Sequence, residues 1–130
     1  MKILQPPNWP RPKGYSNGVS AKGRAVFVSG MVGWNAQEEF VARDFAGQVR
    51  QALQNIVEVL REGEARPEHI ARMTWYVLDR KEYLAAAKEV GTAYREIIGR
   101  HFPAMTVVEV SALLERDARL EIEVTAVVPE

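Results

Sequence analysis

The 130-residue chain contains no cysteine. That excludes a disulfide framework, a thiolate nucleophile and cysteine-ligated zinc. Histidine is nearly absent too: His69 and His101 lie far apart, with no metal-ligand spacing. Neither sign of charge dominates, with 17 Lys+Arg against 17 Asp+Glu. A dedicated nucleic-acid binder carries a basic patch or stripe, so the balance argues against that class. Long apolar runs are missing as well. No stretch approaches the ~20 residues of a membrane helix, and Met1–Pro7 lacks the apolar run of a signal peptide. The expectation is a soluble cytoplasmic protein with no membrane partner. No linker or low-complexity segment interrupts the chain, and a βα/βα duplication finds no convincing residue pattern. With 47% hydrophobic residues, the length suits one domain over 1–130 that buries roughly two-thirds of its unfolded surface.

What is present is ordered punctuation. The 1–14 arm carries Pro6, Pro7, Pro10 and Pro12, and reads as extended and irregular. Trp9 within it either pins the arm to the body or stacks on a ligand. Tyr15–Gly18 leads into a short strand, and Lys22-Gly23 reads as a hairpin turn into a second strand, Arg24–Ser29. Gly30 ends that strand; Ser29-Gly30 either offers a hydroxyl and a bare N–H to an anion or is an ordinary strand end. Residues 31–40, with Gly33, Trp34 and Asn35, read as a loop. Phe45, Val49, Ala52, Ile56, Val59 and Leu60 form one apolar stripe of a helix over about 41–62, stopped by Gly63.

Ile70–Leu78 is a strand, apolar at almost every position, which predicts cover on both faces. Asp79 caps a second helix over about 80–98, striped by Tyr83, Ala87, Val90, Tyr94 and Ile97. Gly91 inside it costs on the order of 1 kcal/mol against alanine, a cost that close backbone packing would explain. Phe102-Pro103 forces a corner, followed by a strand at about 105–111. Leu113–Asp117 connects to the last strand, 119–127, which alternates: Leu120, Ile122, Val124 and Ala126 on one face, Glu121, Glu123, Thr125 and Val127 on the other. The order β-β-α-β-α-β-β predicts an α+β fold with two helices on one face of a mixed sheet. The opposite face, mixing apolar and charged residues, predicts a homo-oligomer.

In this order and spacing the segments resemble the RidA/YjgF family. The resemblance rests on Gly14-Tyr15-Ser16-Asn17, Val28-Ser29-Gly30, Gln48 with Ala52-Leu53-Gln54-Asn55-Ile56, Thr74–Asp79, Phe102-Pro103-Ala104 with Val108-Glu109-Val110, and Leu120–Glu123. It implies a chorismate-mutase-like fold and a homotrimeric barrel with clefts between subunits. It also implies hydrolysis of 2-imino or enamine acids to 2-keto acids and ammonia, with no metal and no cofactor.

Such chemistry needs a cation or oriented N–H groups for the substrate carboxylate, and a carboxylate to handle water. In the family's deaminase pattern an arginine follows Pro-Ala at the corner. Here Met105 stands there, without charge or donor. Glu121 matches the water-handling glutamate, or else is a polar position on the barrel face with no chemistry. Tyr15, Ser29 and Gly30 match cleft positions, and Trp34 and Val107 complete the substrate-binding expectation. Gly91 and Met31 stand where the family often has asparagine and glutamine. The resemblance therefore points to a subgroup lacking the clamp, whose cleft is more apolar. Arg11, Arg100 and Arg119 are the alternative cations, or else surface charges.

The functional expectation is a deaminase-like hydrolase acting on a small metabolite; the alternative is a non-catalytic metabolite-binding or regulatory trimer. RNA cleavage finds no paired histidines here, and chorismate mutation rests on fold analogy alone.

Overall fold

The computed structural model describes all residues, Met1–Glu130. Four strands make the main sheet: β3 (Arg24–Met31), β4 (Ile70–Val77), β5 (Ala104–Glu109) and β6 (Leu120–Val128), in the order β3-β6-β4-β5. β6 runs antiparallel to β3 and β4, while β4 and β5 are parallel. Three helices, α1 (Phe45–Glu62), α2 (Arg80–Ala85) and α3 (Ala87–Ile97), complete an α+β fold with the helices over one face of a mixed sheet.

The alternation in the last strand holds: Leu120, Ile122, Val124 and Ala126 are buried under the helices. From α1 come Phe45, Val49, Ala52, Leu53, Ile56 and Leu60, all buried. Burying each such side chain is worth about 1.5–3 kcal/mol, so this stripe fixes which face of the sheet the helix covers. Asp44 opens α1 by accepting a hydrogen bond from the Gly47 N–H at 3.0 Å.

Several expectations change. The Lys22-Gly23 hairpin does not form. β2 (Gly18–Ser20) instead pairs with β1 (Lys2–Leu4), a strand ahead of the prolines, in a separate two-stranded sheet. The helix expected over 80–98 is broken at Ala86 (φ −94°, ψ 9°), with no proline or glycine at the break. Gly63 does cap α1, as expected, but with a φ of −90° rather than a left-handed one; Glu64 takes the positive value of 55°. A Cβ at Gly63 would lie 3.0 Å from Val26 Cγ1, so its service is to let β3 approach.

Within one chain β4 is covered on one side, and the cover expected on the other would have to come from a second subunit. Met73, Trp75 and Val77 are buried, whereas Arg72 is exposed and Thr74 and Tyr76 half-exposed on the other face. That face also carries Phe27, 75% exposed. Gly91 meets no neighbouring backbone; only Arg95 Nη1 would come close to a Cβ there, at 3.3 Å.

Candidate functional site

The corner after α3 is tied from several directions. The Tyr94 hydroxyl donates to the His101 carbonyl at 2.6 Å, and His101 Nε2 lies 2.6 Å from the Ile70 carbonyl. Ser16 N–H donates to the Pro103 carbonyl at 3.0 Å, and Ser16 Oγ to the Phe102 carbonyl at 2.5 Å. Ser16 also bridges Ala104 in parallel. The segment around Gly14, whose φ is +81°, is thereby laid along the free edge of β5. Tyr15 consequently shares a cavity of about 340 Å³ with Met105 and Val107.

Hydrogen bonding alternates along an edge strand. Val110 N–H donates to Val77 on β4 at 2.8 Å, so the odd-numbered residues of β5 direct theirs outward. The N–H of Val107 thus lies on the side that no strand covers, an available donor. Met105 pairs in register with Met73, and Val107 with Trp75. Both side chains therefore belong to the helix side of the sheet and pack on the core.

Glu121 lies on the other side. It is opposite Tyr76 in register, as Glu123 is opposite Thr74. The register of β3 shifts between Val28 and Met31, a bulge formed by Ser29-Gly30. A Cβ on Gly30 would sit 2.1 Å from Glu121 Oε2; glycine is what admits the carboxylate there. The Tyr76 hydroxyl donates to Glu123 Oε1 at 2.5 Å. That bond raises the Tyr76 phenol above its usual range, with burial and the charges of Glu123 and Glu121 acting the same way. Glu121 is in none of the chain's ion pairs.

The expected site therefore divides within one chain. Tyr15, Met105 and Val107 form an edge group. Glu121, Ser29 and Gly30 form a group on the open sheet face. Trp34 joins neither: it packs on Phe40 with ring centroids 5.7 Å apart, and its carbonyl accepts from Asn55 Nδ2 at 2.7 Å. Trp9 is 59% exposed, so it does not pin the arm to the body of the chain.

Of the alternative cations, Arg119 is committed. Its guanidinium pairs with both carboxylate oxygens of Glu82, which raises its pKa further. Arg11 and Arg100 line a cavity of about 420 Å³ that Tyr15 and Phe102 also wall.

The sequence reading missed a second cavity at Met105, of about 210 Å³, walled by Trp75, Tyr83, Tyr94, Phe102 and Met105, with Arg95 among its lining residues. Its floor has an unusual feature. Trp75 is 2% exposed and its Nε1–H has no partner; a buried donor left unpaired costs about 1–3 kcal/mol. The Tyr83 ring meets Trp75 edge-on at 6.1 Å, and burial raises both the Tyr83 and the Tyr94 phenols. The signal lay in the stripe Tyr83, Ala87, Val90, Tyr94: it reads as core, and only the third dimension shows that it stops short of filling its space. No cluster of His, Asp and Glu suited to a metal ion occurs.

Comparison with known proteins adds the lineage. The chain is 31% identical over 116 residues to the 2-iminobutanoate/2-iminopropanoate deaminase of Salmonella typhimurium, covering 87% of this chain and 86% of that one. It is 30% identical over 128 residues to a RutC family protein of Aquifex aeolicus, covering 98% and 99%. The crystal structure of the Rid-family protein YyfB of Yersinia pestis, described as of unknown function, superposes with a TM-score of 0.86 at 29% identity, covering 98% of each chain. The family model described as Endoribonuclease L-PSP matches residues 9–128. With nearly its whole length matched and the same fold, the chain belongs to the endoribonuclease L-PSP family, the YjgF/RidA group.

Proposed function

We propose that the protein is a cofactor-independent hydrolase of the RidA type, working in the cytoplasm as a homotrimer. It converts the imine or enamine of a small carboxylic acid to the carbonyl compound and ammonia. The observation that carries this reading is the carboxylate of Glu121, seated on the Gly30 bulge and held in no ion pair. The relatives named as imine deaminases support the reaction class.

Glu121 takes a proton from a water molecule as the water oxygen bonds to the imine carbon. That proton passes to the nitrogen to give a carbinolamine; Glu121 then takes the proton of the new hydroxyl and delivers it to the amine, so that the carbon–nitrogen bond breaks and ammonia leaves as the carbonyl forms. The outward N–H of Val107 and the Tyr15 side chain hold the substrate. These groups lie at the β5 edge while Glu121 lies on the open face of the sheet, so a complete cleft takes one group from each of two copies. The exposed Phe27 on the open face supplies apolar surface for that contact.

Met105 favours a second reading, a trimer that binds a metabolite without turning it over, because a thioether cannot clamp a carboxylate. One assay separates the two. Imino acids generated in situ from several amino acids are offered to the native protein, Glu121→Gln and Met105→Arg, and ammonia and keto acid are measured. Loss of a general base commonly costs about 10²–10⁴-fold, so Glu121→Gln should fall by that factor. Turnover by Met105→Arg alone would favour the binding reading for the native chain, and equal turnover by native protein and Glu121→Gln would refute the mechanism.

A further inference from the structure

We propose that Arg95, not a residue of β5, anchors the ligand's carboxylate at the 210 Å³ cavity, and that the ligand is an aromatic 2-imino or 2-keto acid. This rests on the deaminase reading given above, whose Tyr15–Val107 cavity adjoins this one and shares Gly14, Tyr83 and Met105 with it, and it names the substrate class.

Four observations converge. The cavity's walls are aromatic and aliphatic: Trp75, Tyr83, Val90, Tyr94, Phe102 and Met105. Its volume of about 210 Å³ exceeds the roughly 150 Å³ that accommodates a benzene ring in an apolar protein cavity. Pyruvate, with a methyl group, would leave most of it empty; a phenyl group would fill it.

Arg95 is a cation without an anion. It is exposed, lines this cavity and takes part in none of the chain's ion pairs. Its one side-chain hydrogen bond is long, Nη2 to Thr92 Oγ1 at 3.5 Å. A guanidinium at the mouth of an apolar cavity suits a ligand with one carboxylate and one apolar end.

Gly91 is one helical turn before Arg95, and a Cβ there would lie 3.3 Å from Arg95 Nη1. The glycine thus leaves the guanidinium room to lie along the helix toward the cavity. Its cost to α3 gains an explanation that backbone packing does not supply.

Finally, Trp75, which is among the residues lining the cavity, carries a buried Nε1–H without a partner. A carbonyl or imino group carried in by the ligand is an acceptor that this donor lacks in the free chain.

The test uses the native oligomer with phenylpyruvate, a hydrolytically stable keto acid, and isothermal titration. Phenylpyruvate should bind about ten- to a hundredfold more tightly than pyruvate, the worth of burying one phenyl group. Arg95→Gln should weaken phenylpyruvate about tenfold, a modest factor because the guanidinium is exposed, and the native affinity should fall with added salt. Arg95→Lys should restore part of the loss. On binding, the Trp75 indole N–H resonance, assigned by its absence in Trp75→Phe, should move downfield.

Equal affinity of the native protein and Arg95→Gln for phenylpyruvate would overturn the assignment, as would tighter binding of pyruvate. Failure here is distinct from failure of the deaminase reading. Imine turnover that depends on Glu121 but is indifferent to Arg95 keeps the reaction and removes this anchor. Binding that depends on Arg95, with no turnover of any imine, keeps the anchor and removes the reaction.

Discussion

At the scale of single residues, small side chains decide where the large ones act. Gly30 admits the Glu121 carboxylate to the β3 bulge, and Gly91 leaves space for Arg95. Tyr94 shows the opposite arrangement, a large polar residue whose hydroxyl is buried against the His101 carbonyl. Burial raises its phenol, so the folded state favours the neutral form. Its contribution to stability is complete below the unfolded phenol's pKa of about 10, and falls as pH rises above it, because the unfolded chain ionises first. Denaturant midpoints measured from neutral to strongly alkaline pH should therefore decline above about pH 10. In Tyr94→Phe the decline should be shallower, with a loss of about 1 kcal/mol at neutral pH from the missing hydrogen bond. An unchanged alkaline slope would contradict this account. Glu121, Tyr15 and Met105 were legible as site candidates because each stands in a motif of the resemblance. Arg95 and Trp75 were not: Arg95 stands in no motif, Trp75 is one of many apolar residues of its strand, and only the folded chain brings them to one cavity.

At the scale of elements, the strands and helices that alternate strongly in sequence were legible, and those shaped by a partner element were not. β6 falls where its pattern places it, while α1 starts at Phe45, later than expected, and leaves Val59 of its stripe exposed. β2 does not pair with β3, because the chain ahead of the prolines supplies β1 as a competing partner that local turn chemistry does not reveal. The break at Ala86 has no sequence mark; it separates Tyr83, which meets Trp75 and Phe45, from the Val90–Tyr94 stripe. Gln48 is the polar tie between α1 and the approach to β6. It is fully buried, donates to the carbonyls of Ala42 and Asp117, and accepts from the Arg119 N–H at 2.8 Å. Gln48→Leu keeps the volume but strands these backbone groups, and should cost about 2–4 kcal/mol in urea unfolding. A change under about 0.5 kcal/mol would show that water replaces the tie.

At the scale of the whole molecule, the proposed cleft joins groups that one chain keeps apart. The helix side and β5 edge carry Tyr15, Val107 and the aromatic cavity; the open face carries Glu121 on its bulge. The alternation of β6 made the open face legible in sequence, but not its separation from Met105, which depends on strand order and register. A cleft shared between copies can be tested by complementation. Glu121→Gln and Tyr15→Ala, each made inactive in its own half, are unfolded together, refolded as a mixture and assayed for imine hydrolysis. If each cleft draws its edge from one copy and its carboxylate from the next, random assembly restores about a quarter of the native clefts, and activity rises to about that fraction. A mixture no more active than the two variants measured apart would contradict the shared cleft, and with it the account of how this chain works.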